Sequence, residues 1–203
     1  MSRTLKLRLA YNGEQFSGWQ IQPDQRTVQG VLSDAIQGIC GEKIVPKGSS
    51  RTDAGVHAAD QVASFTTSSS ITPDVWQRAL NAHLPKDVVV LRSSEAHHSF
   101  DPISDAVTKR YRYRIHDGEV RPVLARPFVW QWGSRLDIAA MQAASSFLVG
   151  EHDFTSFENP SSPRVSKIRR INDLTIQRRT EERARPILRS GLKSKETVSF
   201  IIW

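Results

Sequence analysis

This 203-residue chain holds a single cysteine, Cys40. One thiol cannot close an intrachain disulfide or build a cysteine-rich metal site. Free cysteine behaves as a small core hydrophobe, so a buried, inert thiol is expected at Cys40. No run of 18 apolar residues occurs, so no membrane-spanning helix is expected. The first residues, Met1 to Lys6, lack the apolar block of a signal peptide, and a cytoplasmic location is the expectation. Acids are in deficit: 21 Asp and Glu stand against 28 Lys and Arg, leaving a net charge of +7. The deficit is sharpest over residues 164–195, where eleven Lys or Arg face three acids, Asp173, Glu181 and Glu182. Such a surplus points to a polyanionic partner, because phosphate neutralisation with counterion release drives nucleic-acid affinity. For that stretch alone, a solvated face or a frayed tail is the competing reading.

What is present is ordinary for a globular α+β protein. Apolar residues make up 38% and charged residues 24%, which excludes a disordered chain. Leu5, Leu7, Leu9 and Tyr11 alternate with Lys6 and Arg8, predicting a half-buried strand that ends at the Asn12-Gly13 turn signal. Val28, Val31, Leu32, Ala35, Ile36 and Ile39 recur at helical spacing, with Thr27 to cap the helix and Gly41 to close it. A short strand is expected over 61–65. A second helix is expected from Thr72-Pro73, with Val75, Trp76, Ala79 and Leu80 as its apolar stripe. A strand over 87–91 completes the first half, 1–105. The second half, 106–203, begins with an alternating strand over 107–115. A helix over 137–148 follows (Ile138, Met141, Ala144, Phe147, Leu148), and then a strand near 171–176.

Four short motifs carry the chemistry. The run Ser50-Arg51-Thr52-Asp53-Ala54-Gly55-Val56-His57-Ala58 crowds a cation, a carboxylate and an imidazole between two apolar segments. Loops of this kind usually carry function, although Asp53 could instead brace a turn. Arg51 and Asp53, two apart, would project to one side of an extended segment, as an ion pair or a shared ligand site. Asp53 and His57, four apart, are a weak metal pair, because Gly55 and the loop setting oppose a helix. His97 and His98, if they sit in a strand, point to opposite faces. Tyr11-Asn12-Gly13-Glu14-Gln15-Phe16-Ser17-Gly18-Trp19-Gln20 reads as a packed turn. Lys109-Arg110-Tyr111-Arg112-Tyr113-Arg114 interleaves aromatic rings that stack on bases with cations that hold phosphates, or else forms a core edge with a basic outer face. Gly150-Glu151-His152-Asp153-Phe154-Thr155-Ser156-Phe157 offers a His and an Asp, but no serine lies in a Gly-x-Ser-x-Gly context, which argues against a Ser/His/Asp triad.

The order and spacing of these motifs resemble the TruA-type tRNA pseudouridine synthases. The likeness runs from Tyr11-Asn12-Gly13, Phe16 and Gly18-Trp19-Gln20 through Arg26-Thr27-Val28-Gln29-Gly30 and Arg51 to Ala58 with Gln61-Val62. It continues through Asn81, Leu84-Pro85, Phe100, Lys109 to Tyr113, and Gly150 to Phe157, and covers about residues 4–176. It implies an α+β pseudouridine synthase fold of two similar halves, with antiparallel or mixed sheets joined around a central catalytic cleft and helices on the outer face. It implies isomerisation of uridine to pseudouridine at positions 38, 39 and 40 of the tRNA anticodon stem-loop, by a homodimer that uses no cofactor and no metal.

The residue matching the catalytic carboxylate is Asp53. Attack on the base, attack on the sugar and removal of a sugar proton all require it ionised, and Arg51 is placed to keep it so. The uridine must leave its stack to reach a pocket, and Tyr111 matches the aromatic residue that receives it. Lys109, Arg110, Arg164, Lys167 and Arg169 are expected to hold the RNA backbone.

The sequence departs from the family in two places. The family continues past the strand near 171–176 to a helix with a His-Met-Val-Arg-type motif, whose arginine pairs with the catalytic aspartate. No such motif occurs before Trp203, so a truncated or misread C-terminus is expected and the second half is read as incomplete. The alternative function that follows is a catalytically impaired, RNA-binding remnant of the same fold. Ile103 stands where the family usually has arginine, which removes one RNA contact.

Overall fold

The computed structural model describes residues 2–157, 166–180 and 196–202, with two compact units, Met1–Val107 and Thr108–Trp203. It is a mixed α and β protein whose sheets are largely antiparallel, compatible with the pseudouridine synthase fold.

The first unit is built on β1 (Arg3–Tyr11). Leu5, Leu7, Leu9 and Tyr11 share one face through the two-residue period of a strand, and all four are buried. On one side β1 pairs antiparallel with β3 (Ala58–Thr67), on the other with β4 (Val88–Ala96). The short β2 (Lys47–Gly48) extends the sheet to the order β2-β3-β1-β4. α1 (Val28–Cys40) follows its predicted limits: Thr27 Oγ1 accepts the Gly30 N–H at 3.2 Å, and Gly41 ends the helix at φ 77°. α2 (Pro73–His83) starts on its proline, which lacks an N–H to leave unpaired. Val28, Leu32, Ala35 and Ile36 of α1 and Trp76 and Leu80 of α2 pack with the β1 leucines into one core. Each such side chain contributes about 1.5–3 kcal/mol by leaving water. Val75, expected in the α2 stripe, is exposed instead, since Trp76 and Leu80 already fill the narrow contact. Cys40 is half-buried rather than buried, packed at the core margin with its thiol toward the Ile36 carbonyl.

The second unit has a much smaller core. Its sheet runs β6-β5-β10-β9, formed by β5 (Tyr111–His116), β6 (Trp130–Gln131), β9 (Leu174–Thr180) and β10 (Glu196–Ile202). A separate antiparallel pair joins β7 (Gly150–Asp153) and β8 (Ile168–Ile171). β10 is thus paired on both edges, with β5 and with β9. β5 starts at Tyr111 rather than at 107, because pairing with β10 begins there, and Val107 is 95% exposed. α3 (Ile138–Ser145) is capped by Asp137 and packs Ile138 and Met141 near Ile115 and Ile176. Beyond Ser145 the chain tightens to three residues per turn, which rotates Phe147 out of the expected stripe and leaves it 79% exposed. Among the described residues no helix is long and apolar enough to cross a membrane.

Candidate active site

Asp53 lies in the loop between β2 and β3, and that loop is clamped by the segment following β1. The Trp19 N–H donates to the Thr52 carbonyl at 2.9 Å, and the Gly55 N–H to the Phe16 carbonyl at 3.1 Å. The Tyr11 and Thr52 hydroxyls lie 2.8 Å apart, and the Gly13 N–H donates to His57 Nδ1 at 3.1 Å. From the strand side, Gln61 Nε2 donates to the Ser50 carbonyl at 2.5 Å while Gln61 Oε1 accepts from Ser49 Oγ at 3.0 Å. The segment from Asn12 to Gln20 is therefore more than a packed turn: it is one jaw of the clamp.

Two glycines allow this approach. A Cβ at Gly13 would stand 2.0 Å from the Val56 carbonyl oxygen. A Cβ at Gly18, whose φ is +91°, would stand 2.6 Å from the Thr52 carbonyl oxygen. Trp19, 1% exposed, anchors the jaw in the core beside Tyr11. Arg26 fixes its far end, with a bidentate pair to Asp87 at 2.8 and 2.9 Å and a position over the Phe16 ring. The Arg26 guanidinium, first by hydrogen bonding and then by charge, outweighs partial burial and holds the Asp87 carboxyl below the usual carboxylate range.

Most motif residues on this loop are thus used in holding it. Arg51 and Asp53 are not. Both are exposed, and among the described residues the Asp53 carboxylate takes part in no ion pair or side-chain hydrogen bond. The expected Arg51–Asp53 ion pair is likewise absent among the described residues. Asp53 instead enters a turn in which its carbonyl accepts the Val56 N–H at 3.2 Å. The Asp53 carboxylate is thus exposed to water on a loop held from both sides.

The histidines take other roles than their spacing implied. One ring nitrogen of His57 is committed to the Gly13 backbone. His97 and His98 do not diverge: β4 ends at Ala96, and in the following turn their rings approach to 4.2 Å. Among the described residues no group of three His, Cys, Asp or Glu side chains could hold a metal ion.

The remaining expected site residues lie in the second unit. Tyr111 opens β5 and is 47% exposed, with Lys109 and Arg110 exposed just before it. Arg169, on β8, is exposed and turns its guanidinium back to the Ser166 and Ile168 carbonyls at 3.1 and 2.6 Å. Lys167 is half-buried, and its carbonyl accepts the Phe154 N–H. Arg164 lies outside the described residues. The His152-Asp153 motif is a turn brace: Asp153 Oδ1 accepts from both the hydroxyl and the N–H of Thr155, which hold its carboxyl below the usual range.

The sequence reading missed the Tyr11–Thr52 pair, whose only signal was a tyrosine at the end of an inward-facing strand alternation. Asn81, which the sequence offers only as a point of likeness to the family, returns from α2 to take both backbone groups of Val90, the N–H at 2.7 Å and the carbonyl at 3.0 Å.

Comparison with known proteins identifies relatives of this chain. The profile of a family described as tRNA pseudouridine synthase matches residues 9–102, the stretch that contains both jaws of the clamp. A protein of Pelobacter propionicus named tRNA pseudouridine synthase A is 42% identical over 174 residues, covering 86% of this chain and 71% of the relative. Proteins of the same name from Acetivibrio thermocellus and Brevibacillus brevis are 40% and 42% identical, covering 87% and 89% of this chain and 72% and 74% of theirs. With likeness at this level across both units, the chain belongs to the tRNA pseudouridine synthase family, isomerases that act on tRNA.

Proposed function

We propose that this chain isomerises uridine to pseudouridine at positions 38, 39 and 40 of the tRNA anticodon stem-loop, with Asp53 as the nucleophile. The observation that carries the reading is the clamped loop that leaves Asp53 exposed while its neighbours are spent on structure. In the reaction the N1–C1′ bond breaks, a C5–C1′ bond forms, C5 gives up its proton and N1 gains one. No electrons are gained or lost overall, so no redox cofactor is required. A carboxylate adduct divides the exchange into easier steps. Arg51, exposed on the same loop, binds the substrate. Tyr111 offers its exposed ring to the unstacked uracil, worth about 1–3 kcal/mol for a stacked base. Lys109, Arg110, Arg164, Lys167 and Arg169 hold the RNA backbone.

The two units act as the two halves of the fold. The protein works in the cytoplasm as a homodimer.

The test is to incubate the chain with unmodified tRNA and map pseudouridine. Product at the anticodon stem-loop that disappears in Asp53→Ala supports the proposal. Binding without product supports the impaired RNA-binding reading. Asp53→Asn is expected to bind tRNA and melt like the parent. Loss of both binding and folding would assign Asp53 a structural role.

A further inference from the structure

The two helices of the first unit cover one face of its sheet, and the opposite face carries cations. Lys6 and Arg8 alternate with the buried Leu5, Leu7 and Leu9 and therefore project to that open face. The register sets Lys47 of β2 across from Ser64 of β3, Ser64 across from Lys6, and Lys6 across from Ser94 of β4. At the next position Arg8 stands directly opposite Arg92. Like charges opposed in this way repel each other, and a fold has no internal reason to create the pair.

The opposition is built by a β-bulge. Val88 and Val90 face the core, so strict alternation would send Arg92 inward after Leu91. Instead the register shifts: Leu9 meets Val90, Arg8 meets Arg92, and Leu91 is the extra residue. Leu91 and Arg92 are both exposed, and Ser93 is buried again. Side chains of α2 hold the outer edge of this bulge. Asn81 takes both backbone groups of Val90, and Gln77 Nε2, one helical turn away, donates to the Leu91 carbonyl at 2.8 Å. Bulges of this kind re-aim a side chain and cluster beside functional sites.

The charges on this face are only partly balanced. Arg8 is paired with Asp60 through two bonds, and Lys47 with Asp101. The Arg8 guanidinium, and then the Lys6 ammonium, hold the Asp60 carboxyl below its usual range against the opposing effect of partial burial. Lys6 lies over the Phe100 ring at 5.0 Å. Arg92 has no ion-pair partner among the described residues. Four cations on this face thus meet two carboxylates among the described residues, and of the two left without an ion pair, Lys6 and Arg92, Arg92 sits at the bulge.

We propose that this open face, with Arg92 and Lys6 at its centre, holds the phosphate backbone of the RNA substrate. The inference rests on the reading of the chain as a tRNA-modifying enzyme. A phosphodiester oxygen between Arg8 and Arg92 turns their repulsion into charge-assisted hydrogen bonds.

The experiment measures tRNA affinity of the full chain against salt concentration for the parent, Arg92→Gln, Lys6→Gln and Arg78→Gln, with melting temperatures alongside. Arg78 is exposed on α2, away from the open face. Arg92→Gln and Lys6→Gln are expected to raise Kd several-fold and to flatten the slope of log affinity against log salt by about one each. Arg78→Gln is expected to change neither. Arg92→Gln is expected to melt no lower than the parent, since it removes a repulsion. A parent that binds tRNA with slopes unchanged in both open-face variants overturns the inference and leaves the proposed function standing. A parent that binds no tRNA overturns both. An equal loss in Arg78→Gln reduces the effect to net charge and also overturns it, as does a loss of binding in Arg92→Gln accompanied by a lower melting temperature.

Discussion

The hydroxyls of Tyr11 and Thr52 lie 2.8 Å apart, tying the end of β1 to the residue immediately before Asp53. Burial raises the Tyr11 pKa despite the opposing bond to Thr52, so the phenol keeps its proton to share. Tyr11→Phe preserves the buried ring and removes only this link. The expected cost in stability is about 1 kcal/mol, the usual net worth of one hydrogen bond. Because the lost contact positions Asp53 rather than holding substrate, kcat for pseudouridine formation should fall while KM for tRNA stays near the parent value. Steady-state kinetics beside a denaturant titration check both parts, and a rise in KM at constant kcat would contradict this assignment.

Gly18 and Gly55 both adopt positive φ, +91° and +78°, but only Gly18 is crowded. A Cβ at Gly55 meets nothing within 4 Å, whereas one at Gly18 would press on the backbone of Thr52 and Asp53. Gly55→Ala should therefore cost backbone strain alone, about 1–2 kcal/mol. Gly18→Ala adds a clash with main chain that cannot swing aside, so it should be clearly the more destabilising of the two and should lose more activity. Melting temperatures of the two variants, measured side by side, decide it. Equal losses would mean that the jaw is free to retreat from the loop.

The first unit was readable in sequence because its signals are local and agree with one another. The β1 leucines alternate, Thr27 and Gly41 mark both ends of α1, and Pro73 marks the start of α2. What was not readable depends on partners distant in the chain. The bulge at Leu91 exists only through pairing with Arg8, and Tyr11 meets Thr52 only after β1 and β3 are in register. The start of β5 was misplaced for the same reason, since Tyr111 pairs with Ile202 at the far end of β10. At the site, residue types pointed to Asp53, but exposure and clamping, which separate a presented carboxylate from a turn brace, required coordinates. Asp153 shows the contrast: also an aspartate near a histidine in the sequence, it is consumed by Thr155.

In the second unit, Asp117 is buried and receives two bonds from Arg178, at 3.0 and 2.9 Å, and one from the Leu136 N–H at 2.9 Å. Burial pushes the Asp117 carboxyl upward, but Arg178 and the Leu136 amide outweigh it and leave the pKa lowered. A lowered folded-state pKa means stability that is present above the unfolded carboxyl pKa of about 4 and is lost as pH falls through the folded value. Arg178→Ala strands a buried charge and should cost about 3–5 kcal/mol near neutral pH. The gap between parent and variant should narrow on acidification: the stranded carboxyl, its pKa raised by burial without Arg178, takes up a proton before pH falls to about 4, and below that the parent loses the stability of its pair. Unfolding free energies across the acid range test this, and a gap independent of pH would assign the loss to packing instead.

Asn81 presents an amide to an edge strand, where Oδ1 accepts the Val90 N–H, which has no other partner on that side among the described residues, and Nδ2 donates to the Val90 carbonyl, which otherwise has only Gln77 Nε2 at 3.3 Å. Asn81→Asp is nearly isosteric but keeps only the acceptor. Its second carboxylate oxygen then faces the Val90 carbonyl, so a bond becomes a repulsion. Asn81→Ala removes both bonds and lets water reach the edge. The charged variant should therefore be the less stable of the two at neutral pH, although it is closer in shape. The Val90 carbonyl raises the folded-state pKa of the new carboxyl, so the variant should recover as pH falls toward about 4 and the carboxyl acquires a proton to donate. Since this contact adjoins the bulge that aims Arg92, both variants should also loosen tRNA binding. Melting curves at neutral and acid pH settle the order, and an aspartate variant as stable as the parent at neutral pH would show that the Val90 carbonyl does not depend on Asn81.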